Sequence, residues 1–335
     1  MAEYKGIKGF TVQTLTSDPT LPSTVGQVYY SSPAKALKYV IPGGASNGSW
    51  SAGGTVNTAR GLSSATGASS DSSIMAGGSD PSTPYVDHVE QYNGSSWTEI
   101  AEFNTGRNGM GSFGSVTASL ITGGTVSLNT HTTATEVWNG SSWTEVSELN
   151  TAGMEMFLSC NGTTTAGLAS PRGPGLGTLV ESWDGSSWTE IAETSSNVSL
   201  RGSTGNAPSS STMLFGGAYP RTPNTEIWNG SSWTEVANMN NTRADCGGAG
   251  NSISNAIAFG GRSATGPTIF TEAWNGSAWT EVADQGVASR FYFSGSGSGP
   301  SALKISGYTA SPGANSNATE EWSAPDVIIK TVEPA

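Results

Sequence analysis

The sequence of 335 residues is poor in charge, in cysteine and in histidine. Charged residues make up 12%, well below the ~25% typical of soluble domains. Two cysteines, Cys160 and Cys246, are too few for a disulfide framework, and they show no metal-type spacing. The two histidines, His88 and His131, occupy different positions in the repeat described below. The sequence therefore predicts no metal site and no cofactor.

The sequence also lacks clusters of basic residues and long apolar runs. Fourteen Lys and Arg stand against 26 Asp and Glu, giving a formal charge of −12. Such a surface repels nucleic acid and anionic membranes, which need clustered Lys and Arg for binding. No stretch of about 20 apolar residues is present to span a membrane. The opening MAEYKGIKGF has no apolar signal-peptide core, so we expect synthesis in the cytoplasm without a signal peptide.

Glycine and tryptophan are abundant, with 45 and 11 residues, and many of them belong to an internal repeat. One phrase, exemplified by TEVWNGSSWTEV at 135–146, occurs five times. Its first glutamates are spaced by 46, 45, 45 and 46 residues. A period in the mid-forties built from short strands is typical of β-propeller blades. The five glutamates are Glu90, Glu136, Glu181, Glu226 and Glu272.

Each repeat predicts four strands. Asn-Gly or Asp-Gly pairs such as Asn139-Gly140 suit the positive φ of a tight hairpin turn, so the phrase predicts strand three, a turn and strand four. An apolar run ending in Gly-Gly, such as TASLITGG at 117–124, precedes it and predicts strand two. A stretch of small residues before that run predicts an innermost strand, where large side chains would clash.

Arginine opens most of the repeats. Arg60, Arg107 and Arg243 each follow the previous tryptophan by ten residues, Arg290 follows by eleven, and Arg201 comes three residues late. Gly153 replaces the arginine in one repeat, and the Gly-Gly pair becomes Gly167-Leu168 in that same repeat and Gly307-Tyr308 in the last one. The order Arg, Gly-Gly, aromatic, Trp resembles the kelch motif over residues 46–323. The resemblance implies a kelch-like β-propeller.

The aromatic pairs at strands three and four indicate how many blades there are. Five pairs are complete, while Trp50 lacks a preceding partner and Trp322 lacks a following one. If Trp50 and Trp322 pair with each other, they make a sixth pair. This predicts an all-β, six-bladed propeller that is closed by the N-terminal strand around Trp50. A seven-bladed ring is the alternative. We expect these aromatics to pack between blades. They are Tyr92, Trp97, Trp138, Trp143, Trp183, Trp188, Trp228, Trp233, Trp274 and Trp279, with Trp50 and Trp322.

The two ends of the chain lie outside the repeat. Residues 1–45 are predicted to be an attachment segment with a β-hairpin over 26–40, and residues 324–335 a tail that adds one strand or packs on a partner. The opening GFTVQTLTSDPTLPSTVGQVYY, leading into Gly/Ser/Trp-rich repeats, resembles virion proteins of marine bacteriophages, especially tail-associated ones. This resemblance implies attachment to a virion and to neighbouring copies.

The loops that join strands two and three differ in every repeat, and rigid scaffolds commonly carry recognition on such loops. We therefore predict a binding surface on the face where these loops emerge; the alternative is that they are drifting solvent loops. The candidate residues are Tyr85, His88, His131, Arg172, Tyr219, Arg221, Arg262, Phe270 and Tyr308.

The repeated glutamates of strands three and four are predicted to meet Thr, Arg or main-chain donors rather than cations. The sequence contains few residue patterns that are typical of catalytic sites. A copper oxidase on this scaffold would need several converging histidines. The nearest match to the Ser-x-Asp-x-Gly-x-x-Trp motif of sialidase-type propellers, at 182–188, lacks the spacer between Asp184 and Gly185.

We expect a non-enzymatic virion structural protein, tail-associated or a fibre protein, that presents the propeller for host-surface or protein binding. The expected partners are other virion proteins, a neutral host glycan or receptor, and further copies of the same chain. Two alternatives stay open: a capsid decoration or adaptor protein, and a carbohydrate-active propeller enzyme.

Overall fold

The computed structural model describes residues 12–20, 24–42, 48–152, 160–170, 178–286, 290–309, 314–325 and 327–332. The regular elements of these residues are all β-strands. Among them there is no helix long and apolar enough to cross a membrane.

Three strands precede the repeats: β1 (Gln13–Leu15), β2 (Val28–Ser31) and β3 (Ala36–Pro42). Strands β2 and β3 form an antiparallel hairpin that overlaps the predicted 26–40 segment and extends to Pro42, with Val28 opposite Tyr39. Strand β1 adds to β2 in parallel. The hairpin carries its own small core, in which Tyr29 and Val40 are buried against Leu15.

The repeats form six antiparallel sheets of four strands, here called sheets 1 to 6. Strand β4 (Ser49–Ala52) is the first strand of the repetitive part of the chain. Sheet 1 contains β5 (Ser64–Ser69), β6 (Ser72–Ala76), β7 (Val89–Tyr92) and β8 (Trp97–Ile100). Sheet 2 contains β9 (Gly111–Ser115), β10 (Ala118–Thr122), β13 (Thr135–Trp138) and β14 (Trp143–Val146), with a ribbon of β11 (Thr125–Ser127) and β12 (Thr130–His131) between them.

Sheets 3 to 5 repeat this order of pairing. Sheet 3 contains β15 (Cys160–Thr163), β16 (Ala166–Ala169), β17 (Glu181–Trp183) and β18 (Trp188–Glu190). Sheet 4 contains β19 (Gly202–Ser203), β20 (Thr212–Phe215), β21 (Thr225–Trp228) and β22 (Trp233–Val236). Sheet 5 contains β23 (Gly247–Ser252), β24 (Asn255–Phe259), β27 (Thr271–Trp274) and β28 (Trp279–Glu281), with a ribbon of β25 (Arg262–Ser263) and β26 (Gly266–Pro267).

Sheet 6 draws its outer strand from the other end of the repetitive part. It contains β30 (Ser294–Ser298), β31 (Ser301–Ile305) and β33 (Thr319–Ser323), and β4 pairs antiparallel with β33. Trp50 lies directly opposite Trp322, as the unpaired aromatics of the sequence suggested. The short strands β29 (Arg290–Phe291) and β32 (Tyr308–Thr309) pair beside this sheet.

The last strand, β34 (Val327–Thr331), pairs antiparallel with β3. The two ends of the chain therefore share one sheet, the terminal sheet, in the order β1-β2-β3-β34. Of the two fates predicted for the C-terminal tail, the added strand is the one observed. It joins the N-terminal segment because β3 offers a free edge for main-chain hydrogen bonds.

The repeated aromatics lie between neighbouring sheets. The indole Nε1 of Trp97 in sheet 1 donates to Thr319 Oγ1 in sheet 6, at 3.1 Å, and Trp188 in sheet 3 donates to Thr135 in sheet 2, at 3.2 Å. Trp50 in sheet 6 makes the same bond to Thr271 in sheet 5, at 2.9 Å. The aromatic pairs within a sheet have ring centroids 4.9 to 5.5 Å apart. These rings fill the space between sheets and are not presented to solvent as platforms.

Candidate binding face

The connections of each sheet leave from two opposite faces, because successive strands run in opposite directions. The connections from strand two to strand three, and from strand four to the next sheet, leave from one face, which we call the loop face. The hairpin turns, such as residues 93–96, leave from the other face, which we call the turn face.

The first strands of the sheets contact one another in the centre of the molecule. Ser63 Oγ, just before β5 of sheet 1, lies 2.7 Å from Ser294 Oγ in sheet 6, and Ser64 Oγ donates to Ser112 Oγ in sheet 2, at 2.6 Å. Residues of all six first strands line a void of only about 20 Å³, including Cys160 and Ser203. Such a void has room for about one water molecule and none for a sugar.

On the turn face, the side chain of Asn206 lies across the space between the first strands. It follows the first strand of sheet 4, and its side-chain Nδ2 donates to the carbonyl of Gly67 in sheet 1 and to that of Gly297 in sheet 6, the latter at 3.3 Å. One side chain thus connects sheets from opposite sides of the centre. A ligand larger than water must bind on a face of the molecule and not within its centre.

On the loop face, the residue two positions before the first strand adopts a left-handed conformation in sheets 1, 2, 4, 5 and 6. Leu62 has φ 56°, Leu200 59°, Asp245 53° and Tyr292 52°, and Gly109 takes the same position with φ 63°. From this position Gly109 N donates to Leu62 O in the preceding sheet at 2.8 Å, and Asp245 N donates to Leu200 O at 3.1 Å. Side chains at this position surround the centre of the loop face.

Buried ion pairs lie beneath this position and account for the repeated arginines and glutamates. Arg60 and Glu90, both almost fully buried, are 3.0 Å apart, and Glu90 also accepts from the main-chain N of Asn57, at 2.7 Å. Burial lowers the pKa of the Arg60 guanidinium, and the Glu90 carboxylate partly offsets this effect. The equivalent pairs are Arg107–Glu136 at 2.9 Å, Arg201–Glu226 at 3.5 Å, Arg243–Glu272 at 3.1 Å and Arg290–Glu320 at 2.9 Å.

In sheet 3, where Gly153 stands at the arginine position, the glutamate keeps the asparagine and main-chain donors that its equivalents in sheets 2 and 5 also have. Glu181 accepts hydrogen bonds from the main-chain N and side-chain Nδ2 of Asn150 and from the main-chain N of Thr151. Gly153 itself lies outside the described residues. The strand-three glutamates therefore serve the fold, since their oxygens are engaged by arginine and main-chain donors.

Four aromatic and charged side chains gather around Arg262 on the loop face. Arg262 Nε donates to Asp245 Oδ2 at 2.7 Å, and its Nη2 donates to the Tyr292 hydroxyl at 2.9 Å. Its guanidinium lies 4.6 Å from the ring centroid of Tyr292 and 5.4 Å from that of Phe291. Tyr308 completes the group, with its ring 5.7 Å from Phe291. We call these five residues the Arg262 cluster.

The Arg262 cluster is held rigidly but stays accessible. Asp245 is buried, while 27% of the Arg262 side chain and parts of the three rings are exposed. Burial opposes the charge on Arg262, but the Asp245 carboxylate outweighs this effect and raises the pKa of the guanidinium. Tyr308 packs on Gly61, where any Cβ would lie 2.6 Å from the ring. The cluster combines aromatic surface with a fixed, charge-balanced hydrogen-bonding group.

The predicted residue Arg221 of sheet 4 contacts the loop that carries Arg262. Arg221 Nη1 donates to the carbonyl of Ser263, the residue after Arg262, and so links the loops of the two sheets. Tyr219 is 72% exposed and Phe270 is 39% exposed. The sequence thus identified Arg262 and Tyr308 in the cluster but missed Asp245, Phe291 and Tyr292. Their signal was the position one or two residues after the repeat arginine.

Three other predicted residues belong to the loops of sheets 1 and 2. Tyr85 and His88 belong to the loop of sheet 1, and His131 lies on the ribbon of sheet 2, where its Nδ1 is 3.1 Å from Thr125 Oγ1. Arg172 lies outside the described residues. Of the eight predicted residues that the structure describes, Arg262 and Tyr308 belong to the Arg262 cluster.

The two cysteines are free and fully buried. Burial raises the pKa of the Cys160 thiol to about 12 and that of Cys246 to about 11. Neither thiol has the exposed, thiolate-stabilising surroundings of a reactive cysteine.

Among solved structures, the chain is similar to YjhT, with a TM-score of 0.65 and 14% sequence identity. The match covers 82% of this chain and 99% of YjhT. At this identity the likeness shows the fold alone, which is of the β-propeller type. No protein-family model matches the sequence, and no curated protein matches it.

Proposed function

We propose that the chain is a non-enzymatic binding protein whose six sheets are the blades of one kelch-like propeller, closed by β4. Three contacts support the closure. Trp50 of β4 lies opposite Trp322 in sheet 6. Sheets 1 and 6 also meet, through the hydroxyl groups of Ser63 and Ser294 and through the hydrogen bond from Leu62 N to Tyr292 O. The observation that carries the binding role is the Arg262 cluster, which offers aromatic surface and a fixed guanidinium on the loop face.

The chemistry of the cluster favours a neutral partner. Arg262 is balanced by Asp245 at hydrogen-bonding distance, so the pair presents directed donors with little net charge. Aromatic rings pack against the apolar faces of sugars and of protein side chains. The overall charge of −12 disfavours a polyanion. A neutral glycan or a protein surface fits these properties.

The experiment for this site compares loop-face and turn-face variants. Fluorescently labelled chain is applied to an array of immobilised neutral oligosaccharides and to intact host bacteria. Arg262→Gln, and separately the pair Tyr219→Ala with Arg221→Ala, should lower binding at least tenfold. Thr165→Ala, an exposed change in a turn on the turn face, should bind as the wild type does. Equal binding by all variants would exclude this face as the binding surface.

For the location of the protein we propose a phage virion, with the chain in the tail or a fibre. The support is the sequence resemblance of the N-terminal segment, together with a terminal sheet that is separate from the repeats and available for attachment. Immunogold electron microscopy of purified phage particles, with an antibody against residues 46–323, tests this location. Label on the tail would support it, label on the capsid would indicate a decoration or adaptor role, and absence of label would refute the virion assignment.

A further inference from the structure

Asp87, His88 and Glu102 come together at the loop face of sheet 1. Asp87 and His88 directly precede β7, and Glu102 follows shortly after β8. Because β7 and β8 pair antiparallel, with Val89 opposite Ile100, these two ends lie side by side. One potential ligand atom from each of the three side chains lies within 4.8 Å of the others, and His88 Nε2 is 3.8 Å from Glu102 Oε1.

His88 and Glu102 border an open groove of about 340 Å³, which is lined by His88, Val89 and residues 99–102. The side chains of His88 and Glu102 are 42% and 59% exposed. They can therefore move by the small distance needed to approach an ion. The groove leaves room for water or another ligand to complete the coordination.

This donor set suits a zinc ion. Imidazole nitrogen and carboxylate oxygen are both zinc ligands, and open zinc sites have three protein ligands and one exchangeable position. Zinc–ligand bonds of about 2.0–2.2 Å place tetrahedral ligand atoms about 3.3 Å apart. The ligand atoms of Asp87, His88 and Glu102 lie up to 4.8 Å apart. Small rotations of these side chains would bring the atoms to the tetrahedral separation. Glu99 on the groove wall adds negative charge that favours a cation.

Two other repeats use the same positions for local hydrogen bonds. In sheet 2 the equivalents are Thr133, Ala134 and Glu148, and the Thr133 hydroxyl donates to Glu148. In sheet 5 the equivalent carboxylate, Asp284, accepts from the main-chain N of Thr271, at 3.2 Å. Sheet 1 differs because a histidine and a second carboxylate face Glu102.

We propose that Asp87, His88 and Glu102 form a zinc-binding site with an open coordination position toward the groove. The sequence alone argued against a metal site, because the two histidines are not equivalent in the repeat. The site needs only one histidine, and pairing of β7 with β8 supplies the two carboxylates. It is separate from the Arg262 cluster and independent of the ligand proposed there.

Isothermal titration calorimetry of the full chain with Zn²⁺ alone tests the proposal. The wild-type chain should bind one ion saturably, and His88→Ala and Glu102→Gln should each weaken binding at least tenfold. His131→Ala controls for imidazole content, and Glu148→Gln controls for the repeat position; both should bind as the wild type does. Urea unfolding midpoints of all variants establish that they are folded.

Two results would overturn the proposal. One is the absence of saturable binding to the folded wild-type chain. The other is binding by folded His88→Ala with wild-type affinity, which would place any bound zinc at another position.

Discussion

The main-chain N–H of Leu62, before the first strand of sheet 1, donates a hydrogen bond to the carbonyl oxygen of Tyr292, before the first strand of sheet 6, at 2.9 Å. The same bond from Gly109 to Leu62 joins sheet 2 to sheet 1. A contact between sheets distant in sequence therefore has the geometry of a contact between consecutive ones. This equivalence supports the proposed closure and leads to the first prediction.

Trp50→Ala should destabilise the whole protein. The Trp50 ring packs on Trp322 and Phe259, and its indole bonds to Thr271. We expect a loss of about 2 kcal/mol in the free energy of unfolding, below the range of fully buried large-to-small changes because Trp50 is only partly buried. Urea denaturation followed by tryptophan fluorescence measures it. Trp50→Phe keeps the ring contacts and should cost about 1 kcal/mol, the value of one hydrogen bond. A wild-type midpoint for Trp50→Ala would contradict the closure.

Glu90→Gln should be far more costly than Glu99→Gln, although the two glutamates lie directly opposite each other on β7 and β8. The first change leaves the buried charge of Arg60 without its partner, and we expect a loss of about 3 kcal/mol. The second removes an exposed like charge, and we expect an effect within about 0.5 kcal/mol. Chemical denaturation of both variants at one pH provides the comparison. Similar losses of unfolding free energy for the two variants would show that the buried Arg60–Glu90 ion pair contributes no more to stability than the exposed Glu99.

Lys304 should make stability depend on pH between about 7 and 10. It is fully buried, 3.8 Å from Glu320 and 4.7 Å from the Phe293 ring. Burial, and then the charge of Arg290, lower its pKa from 10.5 to about 7. The unfolded chain therefore binds more protons in this window, and stability rises with pH.

The difference in unfolding free energy between wild type and Lys304→Met isolates this effect from other titrating groups. It should change by up to about 1.4 kcal/mol per pH unit, in favour of the wild type as pH rises from 7 to 10. Below pH 7 the difference should level off. A difference that stays constant from pH 7 to 10 would show that Lys304 keeps its ordinary pKa.

Gly140→Ala should destabilise through the main chain alone. Gly140 has φ +96°, and an added Cβ would meet nothing closer than 3.4 Å, so the cost comes from conformation and not from collision. We expect a loss of about 1 kcal/mol. Gly286→Ala is the matched control, because Gly286 has open space and no positive φ in the left-handed region. Thermal unfolding of both variants measures the difference, and equal melting temperatures would contradict this view of the turn.

The sequence by itself determined the local structure of the repeats. Asn-Gly pairs favour one kind of turn, and alternating apolar residues favour half-buried strands, so strands two to four could be placed from short segments. The hairpin of residues 26–40 followed from the same rules. The pairing of Trp50 with Trp322 could also be inferred, because each lacked the partner that every other repeat contained.

Only the tertiary structure decided which residues meet across sheets. Tyr292 and Asp245 contact Arg262 because the segments that precede neighbouring first strands converge at the centre of the loop face. No local sequence pattern predicts this convergence. His88 meets Glu102 for the same reason, since strand pairing joins positions separated by a hairpin. The terminal sheet likewise depends on edges of main-chain donors and acceptors, which attract a partner strand without specifying its sequence.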